Sequence, residues 1–268
     1  MRIAVIQLSY GDEESFGARL ERVSSLVADQ AGHDLVVLPE LWGATGFDYR
    51  RWDAEAQPID GPWTEAMAAA ARSAGVTLHA GSLVERMPEP GPDGNDLANT
   101  SVVFDAQGGV VATYRKVHRF GFGTGEPKLM EAGTEVVVTS LPTGGGEQVP
   151  VGISTCYDLR FPELYRRQVE AGAELFVVPA AWPAARVGHW SLLGRARAIE
   201  NQCLVVQCNT AGTHAGHEMG GRSQVVSATG EVLAETSATR EEVLSLEVDP
   251  AATTAYRQAF PVLADRRL

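Results

Sequence analysis

The sequence predicts one α/β domain with many short strands in mixed sheets. Three observations predict it. Short apolar runs rich in β-branched residues alternate with helical stretches along the whole chain. Two of those runs, Asp34 to Pro39 (DLVVLP) and Glu174 to Pro179 (ELFVVP), are continuously apolar, as in strands buried on both faces. No stretch is long or polar enough to serve as a linker, and no period of about 20–50 residues recurs, so the domain is expected to span 1–268.

In chain order, Arg2 to Leu8 reads as a strand, Glu14 to Ala31 as a helix and Asp34 to Pro39 as a strand. Pro62 to Ala74 is an alanine-rich helix, with Pro62 suited to its first turn. Val76 to Val84, Thr100 to Phe104 and Val110 to Tyr114 read as strands, the last two joined by the turn Gln107-Gly108-Gly109. Residues 88 to 96 and 143 to 147 are Gly/Pro-punctuated loops. Val149 to Ser154 is a strand, Pro162 to Ala171 a helix and Glu174 to Pro179 a strand. His189 to Asn201 is a helix and Cys203 to Cys208 a strand. Strands around Ser223 to Ser227 and Glu231 to Ala234 flank Ala228-Thr229-Gly230, and Val243 to Val248 alternates as the last strand.

With 268 residues, 44% of them apolar, the chain can bury a substantial core. Its net charge of -12 argues against nucleic acid or an anionic membrane as partner. The opening run Ile3 to Leu8 is too short for a signal peptide or a membrane span, so a cytoplasmic protein is expected. Cys156, Cys203 and Cys208 form no CxxC pair and no disulfide framework, and no ligand cluster suggests a metal.

Cys203 and Cys208 lie inside an apolar strand and read as buried core thiols. Cys156 differs. In GISTCYDLRFPELYR it stands where a strand gives way to a polar turn and a helix, an elbow expected to expose the thiol and aim backbone N–H groups at developing negative charge. Two further strand ends carry charge. Glu40 follows DLVVLP, where a carboxylate must be paired or functional, and Lys116 ends VATYRK inside the cluster Arg115, Lys116, His118, Arg119. Alone, the glutamate reads equally as a structural ion pair and the basic cluster as a solvated face.

LPELW with Glu40, YRKVH with Lys116 and GISTCYDLRFPELYR with Cys156 resemble, in order and spacing, the three signatures of the nitrilase superfamily, the carbon–nitrogen hydrolases. HWSLLGRARAIENQ and ATGEVLAET extend the resemblance from Ile3 to the C-terminus. It implies a four-layer αββα sandwich that associates as a homodimer or higher homo-oligomer. It also implies Cys156 as nucleophile, Glu40 as general base and Lys116 as electrostatic stabiliser. A second glutamate joins them in the family; Glu126 in GTGEPKLMEAG matches better, with Glu131 a rival. The implied reaction needs no cofactor or metal. Glu40 takes the thiol proton, Cys156 attacks an amide carbonyl, and Lys116 with the Tyr157 N–H meets the oxyanion. Ammonia then leaves and water hydrolyses the thioester.

The elbow resembles the omega-amidase and deaminated-glutathione amidase branch more than true nitrilases. An amidase for a small aliphatic or ω-amide is therefore the leading reading, with an N-carbamoyl amino acid amidohydrolase or a nitrilase as alternatives. A papain-like reading would instead need His118, His214 or His217 as base. Trp182 is placed to line the pocket, and Arg160 could bind a substrate carboxylate, although pairing with Asp158 or Glu163 is the expected role. His118 reads as a structural hydrogen-bonder, and His189 with Trp190 as helix packing. The pocket is expected between loops 43 to 53, 119 to 130 and 181 to 188.

Overall fold

A computed structural model of the chain describes residues 1–267; Leu268, the last of the expected 1–268 span, lies outside them. The chain begins with β1 (Arg2–Gln7), α1 (Phe16–Ala28) and β2 (Leu35–Val37). Ser15 starts α1 by accepting the Ala18 N–H on its hydroxyl. The helices α2 (Tyr49–Glu55) and α3 (Pro62–Ala74) follow. Pro62 opens α3, and Gly75 closes it in the left-handed region at φ 67°. Next come β3 (Thr77–Arg86), β4 (Leu97–Phe104), β5 (Val110–Arg115) and the short α4 (Glu126–Leu129).

The second half repeats the plan with β6 (Val138–Pro142), β7 (Gln148–Ile153), a 3-10 turn (Cys156–Arg160), α5 (Pro162–Glu170) and β8 (Leu175–Pro179). A second 3-10 turn (Ala184–Arg186) leads into α6 (Val187–Asn201) and β9 (Leu204–Cys208). The small hairpin β10 (Thr213–His214) and β11 (His217–Glu218), then β12 (Gln224–Val226), β13 (Val232–Glu235), β14 (Glu242–Glu247) and α7 (Ala251–Ala259) complete it.

Two six-stranded sheets result, in the orders β14-β1-β2-β3-β4-β5 and β13-β12-β9-β8-β7-β6. In each, three central strands run parallel and the outer pairings are antiparallel. Alternation along β1 explains the layering. Ile3 and Val5 face the other sheet and join one core with Val151, Ile153, Val177 and Val205. Ala4 and Ile6 face outward, against Val23 and Val27 of α1 and Trp63 and Met67 of α3. On the far side, α5 and α6 contribute Leu164, Tyr165, Trp190 and Ala198 over the second sheet. The architecture is a four-layer αββα sandwich. The parallel order places the carboxyl ends of β2, β7 and β8 together, where α/β folds assemble their sites.

Two histidines, His79 on β3 and His214 on β10, are buried, and burial pushes each down to about 4. Unfolded, both protonate near 6.5, so the unfolded chain binds more protons between those limits. Stability present above pH 6.5 is therefore expected to fall as pH drops toward 4, by on the order of 3 kcal/mol per histidine once fully titrated. Urea unfolding at pH 7, 5.5 and 4 checks this. The slope should flatten in His214→Gln, and an unchanged slope there would assign the acid sensitivity elsewhere.

Candidate active site

The parallel strands deliver the three strand-end residues to one pocket of about 420 Å³. β2 ends at Val37, and Leu38-Pro39 carries Glu40 across to the second sheet. There the Glu40 N–H donates to Ala180 O at 3.4 Å, and the Ala181 N–H donates to Glu40 Oε2 at 2.9 Å. Gly81 makes this approach possible. It sits in a bulge of β3 at φ 69°, and a Cβ there would fall 1.8 Å from the Pro39 carbonyl oxygen. Ser82 beside it accepts the Leu41 N–H on its hydroxyl.

Lys116 follows β5 and is only 2% exposed, so it is no part of a solvated basic face. Its ammonium donates to Glu40 Oε1 at 2.7 Å and to both Glu126 oxygens, at 3.0 and 2.8 Å. Burial alone would lower its pKa, but the charges of Glu126 and then Glu40 outweigh that and hold it well above the ordinary lysine value. Glu126 is raised by burial, against the pull of Lys116.

The two carboxylates differ in what they have left to offer. Glu126 Oε1 accepts from Asn99 and Lys116, and its Oε2 from Lys116 and the Phe120 N–H, so its lone pairs are committed. Glu40 Oε1 likewise accepts from Asn99 and Lys116, but Oε2 has only the Ala181 N–H. Cys156 lines the same pocket, close enough for the Glu40 charge to help raise its thiol pKa.

Cys156 begins the 3-10 turn at φ 50°, a left-handed conformation rare for a residue with a Cβ. A capping box holds it there: Thr155 caps the Asp158 N–H, and Asp158 Oδ2 accepts the Thr155 N–H at 2.8 Å. Asp158 also accepts from Tyr114 Oη at 2.7 Å and from the N–H and Nδ1 of His118, at 2.9 and 2.8 Å. The turn that carries Cys156 is thus tied to the loop that carries Lys116, and His118 is the structural hydrogen-bonder expected. Tyr157, second in the turn, has an N–H with no partner inside the helix.

Tyr157, Trp182 and Arg160 line the pocket with Cys156, and so do Phe47, Phe120 and Arg186. Among the described residues no histidine lines it. His214 is buried against Tyr10, with ring centroids 4.6 Å apart, and His217 packs on Phe47 at 4.7 Å. The pocket walls come from the three loops expected to shape it. Glu131 lies elsewhere, accepting the Asp93 and Asn95 N–H groups at 2.9 and 3.3 Å, so Glu126 alone of the two glutamates reaches the site.

Residues 2–258 match the family model for carbon–nitrogen hydrolases. The chain belongs to the carbon–nitrogen hydrolase family. It is 44% identical over 265 residues to the 2-oxoglutaramate amidase of Paenarthrobacter nicotinovorans, covering 99% of this chain and 89% of that one. Its structure aligns with a CN-hydrolase superfamily protein from Xanthomonas campestris that bears an arsenic adduct in its active site, at TM-score 0.88 and 29% identity, over 100% of this chain and 97% of that one. It also aligns with a Glu-to-Gln mutant of the amidase from Nesterenkonia sp. AN1, which shows the acetamide moiety of fluoroacetamide added covalently at the active-site cysteine (TM-score 0.74, 27% identity, 97% and 94% covered). The chain is accordingly a thiol-dependent amidase of the nitrilase superfamily.

Three expectations for this carbon–nitrogen hydrolase need correction. Cys156 is not exposed at an elbow: it is 8% exposed, opens only into the pocket, and burial first, with Glu40 next, pushes its thiol well above the usual range. It therefore rests as a neutral thiol. Arg160 pairs with neither Asp158 nor Glu163, because Asp158 is already saturated by Tyr114, His118 and the Thr155 N–H. Its guanidinium instead lies over the Trp182 ring at 4.7 Å and reaches His189 Nδ1 at 3.4 Å. His189 thus has a partner in the pocket wall, while Trp190 is packed as expected. The sequence reading missed Asn99, which bridges Glu40 and Glu126 at 2.8 and 2.7 Å; its signal was an amide inside the strand LANTSVVF.

Proposed function

We propose that the amidase hydrolyses the ω-amide of a small dicarboxylic acid, such as a 2-oxo dicarboxylate, to the acid and ammonia. One observation carries this reading: the Cys156–Glu40–Lys116 cluster forms the buried end of a pocket whose exposed end holds Arg160, a guanidinium with no carboxylate within ion-pair distance among the described residues. A substrate carboxylate supplies the missing partner. The 2-oxoglutaramate amidase relative supports it.

In the proposed mechanism Glu40 removes the thiol proton as Cys156 attacks the amide carbon, because the buried thiol does not ionise by itself. The carbonyl π pair moves onto oxygen. One Lys116 N–H serves Glu40 and one is shared by the two Glu126 oxygens; the third, with the Tyr157 N–H, meets the oxyanion. Glu40 passes its proton to the amide nitrogen, the C–N bond breaks and ammonia leaves, with the acyl group held as a thioester. Glu40 then takes a proton from water as its oxygen attacks the thioester, and returns it to the departing thiolate. Glu126, with its lone pairs committed, holds Lys116 and Asn99 in place and does not itself move a proton.

The same reading places the protein in the cytoplasm as a homodimer or higher homo-oligomer, with no nucleic-acid partner. Exposed Leu192 and Ile199 on α6 support association, and among the described residues no helix is long and apolar enough to cross a membrane. Light scattering of the purified protein tests the assembly.

Ammonia release from 2-oxoglutaramate, glutaramate, propionamide, an N-carbamoyl amino acid and propionitrile tests the function. The ω-amides are expected to give the highest kcat/KM, and propionamide to exceed propionitrile. A nitrile puts its developing charge on nitrogen along a linear approach, which suits a carbonyl oxyanion site poorly. A nitrile turned over faster than its amide would overturn the proposed substrate class.

A further inference from the structure

Arg186 ends the second 3-10 turn, immediately before α6. Its backbone is fixed on both sides. Its N–H donates to Pro183 O at 3.0 Å, and its carbonyl accepts the Trp182 Nε1–H at 2.8 Å. Its side chain turns into the active-site pocket, with the guanidinium 5.5 Å from the centroid of the Phe120 ring. Arg160 faces the same space from the nucleophile's own turn, over Trp182. Trp182 therefore links the two arginines: its indole face carries one, and its N–H holds the backbone of the other.

Among the described residues neither guanidinium has a carboxylate within 4.0 Å, whereas twelve other arginines do. The chain has 34 acidic side chains against 22 Lys and Arg, so no shortage of partners explains this. Two like charges at one half-buried mouth repel each other and lose hydration. Burial and then Arg186 are among the causes that lower the Arg160 pKa. Such an arrangement is unfavourable while empty and is relieved by an anion lying between the two groups.

We propose that Arg186 is a second specificity-determining residue, gripping the distal carboxylate of the substrate together with Arg160. The proposal rests on the reading above that the substrate is an anionic ω-amide. It adds that recognition takes two guanidiniums, one from the nucleophile's turn and one from the entry to α6. Each then offers N–H groups to a different edge of the carboxylate, and the acyl chain between carboxylate and amide spans the distance from this mouth to Cys156.

Glutaramate and pentanamide make the test, because they differ only in a carboxylate replacing the terminal methyl. The wild-type protein should prefer glutaramate. Arg186→Gln should lower the glutaramate-to-pentanamide ratio of kcat/KM at least tenfold, mostly through a higher KM for glutaramate, and Arg186→Lys should recover part of the ratio. Glutarate should also inhibit the Arg186→Gln protein at least tenfold less strongly. If Arg186→Gln lowered kcat/KM for both amides equally, the Arg186 side chain would serve only to shape the pocket wall against Phe120, and the proposal would fall. If wild type preferred glutaramate and Arg186→Gln kept that preference, this inference alone would fall. A wild-type preference for pentanamide would overturn the anionic-substrate reading and this inference with it.

Discussion

Replacing Cys156 with alanine is expected to abolish amide hydrolysis and leave the fold in place. Loss of a hydrolase nucleophile costs on the order of 10⁶-fold in rate. Alanine keeps the Cβ, so the strain at φ 50° is unchanged, and the capping box through Thr155 and Asp158 does not involve the sulfur. Removing one small buried atom should change stability by no more than about 1–2 kcal/mol. Iodoacetamide sharpens the test. All three cysteines are buried, but only Cys156 opens into the pocket; Cys203 and Cys208 show no exposed surface. The native wild-type protein should gain one label by intact mass, and Cys156→Ala none. Activity surviving in Cys156→Ala, or a label on it under native conditions, would remove Cys156 from the mechanism.

What could be read in advance follows from how local each signal is. DLVVLP and ELFVVP announced β2 and β8 because strands covered on both faces have only apolar neighbours. β6, VTSLP, was missed because it is an edge strand, half-buried and without a clean alternation. α7 was missed because the apolar residues of AATTAYRQA are alanines and one tyrosine, with no large aliphatic stripe; Arg257 docks it, donating to the carbonyls of Gln202, Ala173 and Asn201. Glu40, Lys116 and Cys156 stood out at strand ends, but their roles were legible only through three motifs, in order, that resemble the carbon–nitrogen hydrolases. Asn99 and Gly81 were not. Their roles exist only once residues tens of positions apart meet, as Gly81 meets Pro39 and Asn99 meets Glu126. Arg160 was misread for the same reason: its local partner Asp158 had been taken by Tyr114 and His118, from another strand's end.

Glu40→Gln is the variant that separates a carboxylate base from every histidine alternative. Glutamine keeps the size of the side chain but replaces one acceptor oxygen with a donor NH₂. Glu40 Oε1 serves Asn99 and Lys116, and Oε2 serves the Ala181 N–H, so either amide orientation sets a donor against a donor. One buried group is left unsatisfied, at a cost of about 1–3 kcal/mol. Lys116 still has Glu126, so its charge survives. What disappears is the group that takes the proton of a thiol held neutral by burial. kcat/KM for the best ω-amide is therefore expected to fall by about 10²–10⁴-fold, the range typical of general acid–base groups. His118→Ala, His214→Ala and His217→Ala should keep most of it, because none of those rings lines the pocket. Covalent capture of an activated reagent such as fluoroacetamide should persist in Glu40→Gln, though more slowly: the Cys156 S–C bond forms as the C–F bond breaks, and the thiol proton leaves with the fluoride, so no amine needs a proton from residue 40. Turnover of Glu40→Gln within threefold of wild type, or a histidine variant equally inactive while still folded, would take the base role from Glu40.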